Sequence, residues 1–198
     1  GLVFGLTSEQ LLLIRDRGGR WNLDARIPLE GISISGMEEM APGELWFGDT
    51  RGPVQRWRMD LAGARVLERT RFGDAAGLVV DPGAGTSVFA LDGQLHAISG
   101  DTGFRREGER FVPDLAPPLT LVDKPFELIV EETPLGAYAY TRRQVWHRPM
   151  GETRWEILNP GAQQAMGYAN LRMNRDGVLR IATWSGLLQY DPDSPPPP

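Results

Sequence analysis

Apolar residues in this chain come in short runs that end at Gly, Pro or Asp-Gly, and the runs recur. Leu2-Val3-Phe4-Gly5-Leu6-Thr7 is echoed by Leu45-Trp46-Phe47-Gly48-Asp49-Thr50, then by Ser87-Val88-Phe89-Ala90, Ala137-Tyr138-Ala139-Tyr140 and Arg180-Ile181-Ala182-Thr183, at spacings of 43, 42, 50 and 43 residues. A turn precedes each echo after the first: Pro42-Gly43, Gly83-Ala84-Gly85, Pro134-Leu135-Gly136 and Asp176-Gly177. A second strand is predicted after each recurrence, over Gln10–Arg15, Val54–Met59, Gln94–Ser99, Gln144–Arg148 and Leu187–Tyr190. A third, more polar strand comes next in four of the five, over Arg20–Ile27, Arg65–Arg71, Phe104–Phe111 and Arg154–Leu158. Another strand is expected before the recurring one at Gly77–Val80, Phe126–Val130 and Leu171–Asn174.

Four short antiparallel strands in a period of about 40–45 residues is the blade of a β-propeller. The pattern therefore predicts an all-β chain of about five blade-like repeats, each a four-stranded antiparallel sheet. Helical solenoids are excluded, since they need apolar residues at three-and-four spacing over longer stretches. Only Gly36–Met40 and Ala162–Met166 could form a helical turn or two. The repeats fall near residues 1–29, 30–71, 72–112, 113–160 and 161–191, with a proline-rich linker at 192–198. The first repeat lacks its leading strand and the last its outer one, so the chain is expected to be part of a larger, seven-bladed propeller. A closed five-bladed ring is the alternative. An unclosed propeller exposes unpaired edges and apolar blade faces, which predicts self-association.

Composition narrows the chemistry. Hydrophobic residues make up 41% of the 198 positions, enough for a continuous core. The formal net charge of -5 argues against nucleic acid as a partner. With no cysteine, disulfides, thiolate metal sites and thiol catalysis are excluded. The longest aliphatic run, Leu11–Ile14, is too short to span a membrane. A start at Gly1, with no methionine or signal sequence, is expected for a mature product or a piece of a longer protein.

Asp176-Gly177-Val178-Leu179-Arg180-Ile181-Ala182-Thr183-Trp184-Ser185-Gly186-Leu187, then Tyr190-Asp191, resembles the two-component regulator propeller repeat, roughly D-G-x-L-W-I-G-T-x-x-G-L-x-x-Y-D. Gly43-Glu44-Leu45-Trp46-Phe47-Gly48, with Thr50 and Gly52, is similar to a second copy. The departures are Arg180 for the usual Trp, Ala182 for Gly and Pro53 for Leu. The resemblance implies the extracytoplasmic, periplasmic sensor of a histidine kinase or diguanylate cyclase. Separately, Asp16-Arg17-Gly18-Gly19-Arg20-Trp21 resembles the D-x-G-x-x-W part of the Asp-box of sialidase-like propellers, where the carboxylate shapes a turn.

Catalytic patterns are scarce. His96 and His147 are the only imidazoles, and neither has a second His or Cys at metal-ligand spacing. Ser99 lies near His96 without a nucleophile-elbow pattern. Glu38-Glu39 and Glu131-Glu132 are adjacent pairs, and neighbours on a strand point to opposite faces. Gly83-Ala84-Gly85-Thr86 lacks the Lys and the succeeding helix of a phosphate loop. Asp81, Asp101, Asp176, Asp191 and Asp193 read as turn residues rather than a calcium loop. Trp21, Trp46, Trp57, Trp146 and Trp155 sit in or beside strands, where aromatics pack between blades.

No catalytic residue, metal site or cofactor is therefore expected. Loops at one end of the blades face one side, where propellers bind, and this selects Trp184, Arg142, Arg143 and Arg51 as candidate ligand contacts. The expected function is a ligand-sensing or interaction module of a bacterial signal-transduction protein, with a small molecule, a glycan or a protein as partner. The alternatives are a propeller lyase or hydrolase acting on polysaccharide and a scaffold that only binds protein.

Overall fold

A computed structural model describes residues 1–122, 128–141 and 144–157, and the backbone of the strands at 170–173, 179–183 and 186–190. The chain divides into two compact units, one holding residues 1–115 and the other most of the chain beyond residue 127. Within the described residues the strands form five antiparallel sheets, each a simple meander in chain order.

The first unit holds three sheets. The first comprises β1 (Leu2–Leu6), β2 (Gln10–Asp16) and β3 (Trp21–Pro28). The second comprises β4 (Ile34–Ala41), β5 (Glu44–Asp49), β6 (Gly52–Asp60) and β7 (Arg65–Phe72). The third comprises β8 (Ser87–Leu91), β9 (Gln94–Ser99), β10 (Thr102–Glu107) and β11 (Arg110–Pro113). The second unit holds a four-stranded sheet of β12 (Ile129–Thr133), β13 (Gly136–Tyr140), β14 (Val145–Pro149) and β15 (Glu156–Ile157), and a three-stranded one of β16 (Asn170–Met173), β17 (Leu179–Thr183) and β18 (Gly186–Tyr190). These are the blades of a propeller, as the periodicity predicts.

The period-2 alternation of each strand sends alternate side chains to opposite faces. In β5, Leu45 and Phe47 join Leu11, Leu13, Ile27 and Trp57 in a core between the first and second sheets. Trp46, between them in sequence, joins Val54, Phe72, Leu95, Phe104 and Phe111 between the second and third. Burying each such side chain contributes about 1.5–3 kcal/mol relative to exposure. Close approach of the second and third sheets depends on glycine. A Cβ on Gly36 would lie 2.7 Å from the Val88 carbonyl oxygen, and one on Gly48 would lie 2.6 Å from the Ser87 Cα.

Three local expectations are corrected. Gly36–Met40 is part of β4 and not helical, because pairing with β5 overrides a weak local helix preference. Gly77–Val80 forms no strand; a 3-10 turn at Asp74–Ala76 and an Asp81–Gly85 bridge occupy that connection. The leading strand of the third sheet is instead Ser87–Leu91, and the counterpart of β5 is β9, Gln94–Ser99. The equivalent strands thus begin at residues 2, 44, 94, 136 and 179, so the long interval falls before the third sheet rather than after it. Ser87-Val88-Phe89-Ala90 imitates the repeat because a strand buried on both sides is apolar whatever its place in the sheet.

The first sheet has one covered and one open face. Leu11 and Leu13 are buried against the second sheet, whereas Val3, Ile14, Leu23 and Trp21 lie on the other face. On that face Val3 is 47% exposed, Leu23 44% and Trp21 58%. Trp21 therefore does not pack between blades, although Trp46, Trp57 and Trp146 are buried as expected.

Candidate functional site

In the first unit, the turns between second and third strands lie at the same end as the connections between sheets. Hydrogen bonds tie the two sets together. The Leu29 amide donates to the Glu9 carbonyl at 2.9 Å, Thr50 to Ser33 at 2.8 Å, and Thr86 to Asp49 at 2.7 Å. Asp49, nearly buried, accepts from the Ser33 and Arg51 amides through its carboxylate at 3.3 and 3.1 Å. The Ser99 hydroxyl accepts from the Asp81 amide at 2.7 Å and donates to the Gly85 carbonyl at 3.0 Å. Ser99 is thus a structural tie, and the Gly83–Thr86 segment is a turn built on the Asp81 carboxylate, which accepts from the Gly83 amide at 2.7 Å. Asp16 plays the corresponding part in the Asp-box-like turn, accepting from the Gly19 amide at 2.7 Å.

At this end, a cleft of about 240 Å³ opens between the first and second sheets, lined by Leu29, Glu30, Ile32, Gln55, Arg69 and Arg71. The connection from β3 to β4 supplies its apolar floor. Leu29 and Ile32 are buried, and the turn between them is closed by the Ile32 amide donating to the Leu29 carbonyl at 3.2 Å. The turn places Glu30 (φ 54°) and Gly31 (φ 87°) in the left-handed region. For a residue with a Cβ this is unfavourable, and such conformations concentrate at functional positions.

β6 and β7 supply the polar wall. Gln55 pairs with Arg71 and Trp57 with Arg69, so all four side chains share the face turned towards the first sheet. The Arg69 guanidinium lies 4.2 Å from the centroid of the Trp57 ring, ion-pairs with Glu30 through Nη1, and donates through Nη2 to the Pro28 carbonyl at 3.3 Å. Among the described residues, exposed Arg71 has no ion-pair or hydrogen-bond partner. Gln55 is only 3% exposed, and its amide has no hydrogen-bond partner among them either.

Arg51 is exposed at the same end of the second sheet, but it does not line the cleft. Trp184, Arg142 and Arg143 lie outside the described residues. Alternation in β7, where Arg69 and Arg71 fall on one face, was the available signal for the wall. Only the pairing with β6 shows which face that is.

Other polar groups among the described residues pack against rings or close turns. The His96 ring stacks on Phe89 at 5.0 Å, and its Nδ1 lies 3.1 Å from the Asp114 carboxylate. Burial holds the His96 pKa below the usual histidine value, and Asp114 opposes that shift only in part. His147 stacks on Tyr138 at 4.5 Å, and burial lowers its pKa as well. Glu131 and Glu132 occupy successive positions of β12, on opposite faces. Glu39 accepts from the Gly43 amide at 2.8 Å. No cluster of three His, Asp or Glu able to hold a metal occurs among the described residues.

Between the second and third sheets a different polar group is sealed in. Arg56, 4% exposed, lies 5.5 Å from the Trp46 ring centroid and 5.3 Å from that of Phe72, with ion pairs to Glu109 at 2.6 Å and Glu68 at 3.7 Å. Arg106 covers Trp46 at 4.4 Å and pairs with Glu44 at 3.3 Å, while the Trp46 indole donates to Glu44 at 2.9 Å. This arrangement binds the sheets to each other.

The fold is that of a propeller segment, with a cleft at its loop end. Solved structures of similar fold include the extracellular domain of a proposed one-component system from B. thetaiotaomicron, with a TM-score of 0.57 and 16% identity over 98% of this chain and 26% of that one. The extracellular domain of a proposed hybrid two-component system from the same organism gives a TM-score of 0.57 and 12% identity, over 96% of this chain and 27% of that one. A protein of unknown function from Bacteroides caccae gives a TM-score of 0.51 and 12% identity, over 98% of this chain and 69% of that one. The chain thus spans about a quarter of the length of the first two. No family profile and no curated protein matches the sequence.

Proposed function

We propose that the chain is a ligand-recognition segment of an extracytoplasmic sensor propeller, with the cleft between its first and second sheets as the binding site. The observation that carries this reading is the pairing of an unpartnered guanidinium, Arg71, with an unpartnered and nearly buried amide, Gln55, at the loop end of a blade junction. A few polar groups converging on a partly apolar cleft are what orients a bound ligand. The extracellular domains of proposed one- and two-component systems that share the fold, and the resemblance to the two-component regulator repeat, support the setting. The site is better suited to binding than to catalysis, since the one carboxylate in the cleft, Glu30, is engaged by Arg69.

The test is a thermal-shift screen of small polar metabolites against the wild-type chain and the Gln55→Leu and Arg71→Ala variants. A stabilising compound whose effect disappears in both variants is the expected result. Stabilisation that survives both substitutions overturns the site.

The open face of the first sheet favours a second, compatible reading, in which the chain associates through Val3, Leu23 and Trp21. Analytical ultracentrifugation checks it: Trp21→Glu with Leu23→Glu should convert a self-associating species to monomer. A wild-type chain that is monomeric at high concentration rules it out.

A further inference from the structure

We infer that the cleft takes a small organic monocarboxylate, an inference that rests on the cleft being a ligand site. The charge count in the cleft decides the charge of the occupant. Of its two guanidiniums, Arg69 is already neutralised by Glu30 and held by the Pro28 carbonyl and the Trp57 ring. Arg71 alone is uncompensated among the described residues, which leaves one positive charge to be met. A planar guanidinium presents paired N–H donors that match a carboxylate or a phosphate.

Three features favour the carboxylate. With Arg69 and Glu30 neutralising each other, the single charge of Arg71 matches a monoanion and leaves half the charge of a dianion unmet. Leu29 and Ile32 form an apolar floor, which inorganic phosphate cannot use but the carbon skeleton of an organic acid can. The Gln55 amide, beside Arg71 in the sheet register, both donates and accepts, and so suits a hydroxyl near the carboxylate. The volume, about 240 Å³, is below the range of about 300–1,000 Å³ typical of drug-sized ligands, so the occupant is the size of a single sugar acid or hydroxy acid.

The experiment is isothermal titration calorimetry of the full chain with D-galacturonate, D-galactose and inorganic phosphate as probes, alongside NMR of the arginine Nε–H signals. Galacturonate should bind, shift the Arg71 signal, and weaken at least tenfold in Arg71→Ala and severalfold in Gln55→Leu. Arg65→Ala, at the far end of β7, should leave binding unchanged. Galactose should bind at least tenfold more weakly than galacturonate. If galactose binds equally well and is sensitive to Gln55→Leu but not to Arg71→Ala, the carboxylate assignment falls while the cleft stands. Phosphate binding without galacturonate binding likewise overturns the carboxylate. Galacturonate binding indifferent to both substitutions, or no binding by any probe, overturns the carboxylate assignment; the first also removes the cleft as the site.

Discussion

The two faces of the β6–β7 hairpin carry the same device to opposite ends. Each sets an arginine against a buried tryptophan and answers it with glutamate: Arg56 with Trp46 towards the third sheet, Arg69 with Trp57 towards the first. Towards the third sheet, Phe72 and Phe111 close around Trp46, with ring centroids at 4.9 and 6.2 Å. Towards the first sheet Phe47 meets Trp57 edge-on at 5.0 Å and most of the other partners are aliphatic, and a cleft opens there where Arg71 has nothing to pair with among the described residues. Functional sites commonly depart in this way from the local consistency of the rest of the fold.

The largest expected effect that sharpens this contrast is Trp46→Ala, which should cost about 3–5 kcal/mol in urea denaturation. It should exceed Trp57→Ala by about 1 kcal/mol, because Trp46 carries two cations, Arg56 and Arg106, and Trp57 only Arg69. The reverse order would break the comparison.

Gly85→Ala should come next, at about 1–3 kcal/mol. Gly85 has φ +65° and a Cβ there would run into the Asp49 carbonyl and the Thr50 backbone, which stitch the second and third sheets at the loop end. Gly18→Ala, at a similar φ of +66° but with nothing within 4 Å, should cost no more than about 1 kcal/mol by the same assay.

Arg56→Met tests whether the buried charge adds stability or only fills space. The substitution removes only the buried partner and leaves Glu109 and Glu68 exposed to water, so no charge is stranded and the change should stay within about 1 kcal/mol of wild type. A large loss would show that the pairs to Glu109 and Glu68 outweigh the cost of burial.

A gentler effect is expected from pH. The folded state holds the His96 pKa below its ordinary value of 6.5, so the unfolded chain takes up a proton first as pH falls. Stability should therefore be fully present above about pH 6.5 and decline as pH drops through that value towards the lower folded pKa. His96→Gln should flatten this slope in pH-dependent denaturation, leaving the similar contribution of His147. An unchanged slope would show that the native environment does not disfavour the charged ring.

Smallest of all should be the effect of Arg71→Ala on stability, within about 0.5 kcal/mol, since an exposed side chain without partners holds nothing in place. Paired with loss of ligand response, that silence would mark Arg71 as a binding residue.

Much of this architecture was legible in the chain. Short apolar runs with Gly and Pro between them, at near-constant spacing, announce blades, and Leu45-Trp46-Phe47-Gly48 carries the repeat openly. The third sheet misled because Ser87–Ala90 and Gln94–Ser99 are both apolar strands, and composition does not say which one stands second in the sheet. The loop end was identified from the same spacing, which is how Arg51 was found. Gln55, Arg69 and Arg71 were not, since each looks like an ordinary polar position of a solvent-facing strand.

The sequence by itself determined the strand period, the turn chemistry at Asp16 and Asp81, and the absence of thiol chemistry, because these depend on residue type and local spacing. Only the tertiary structure decided which arginine is sealed and which is open. Arg56 and Arg71 lie on adjacent strands of one sheet but on opposite faces, and a single residue of register sends a side chain to one neighbour or the other.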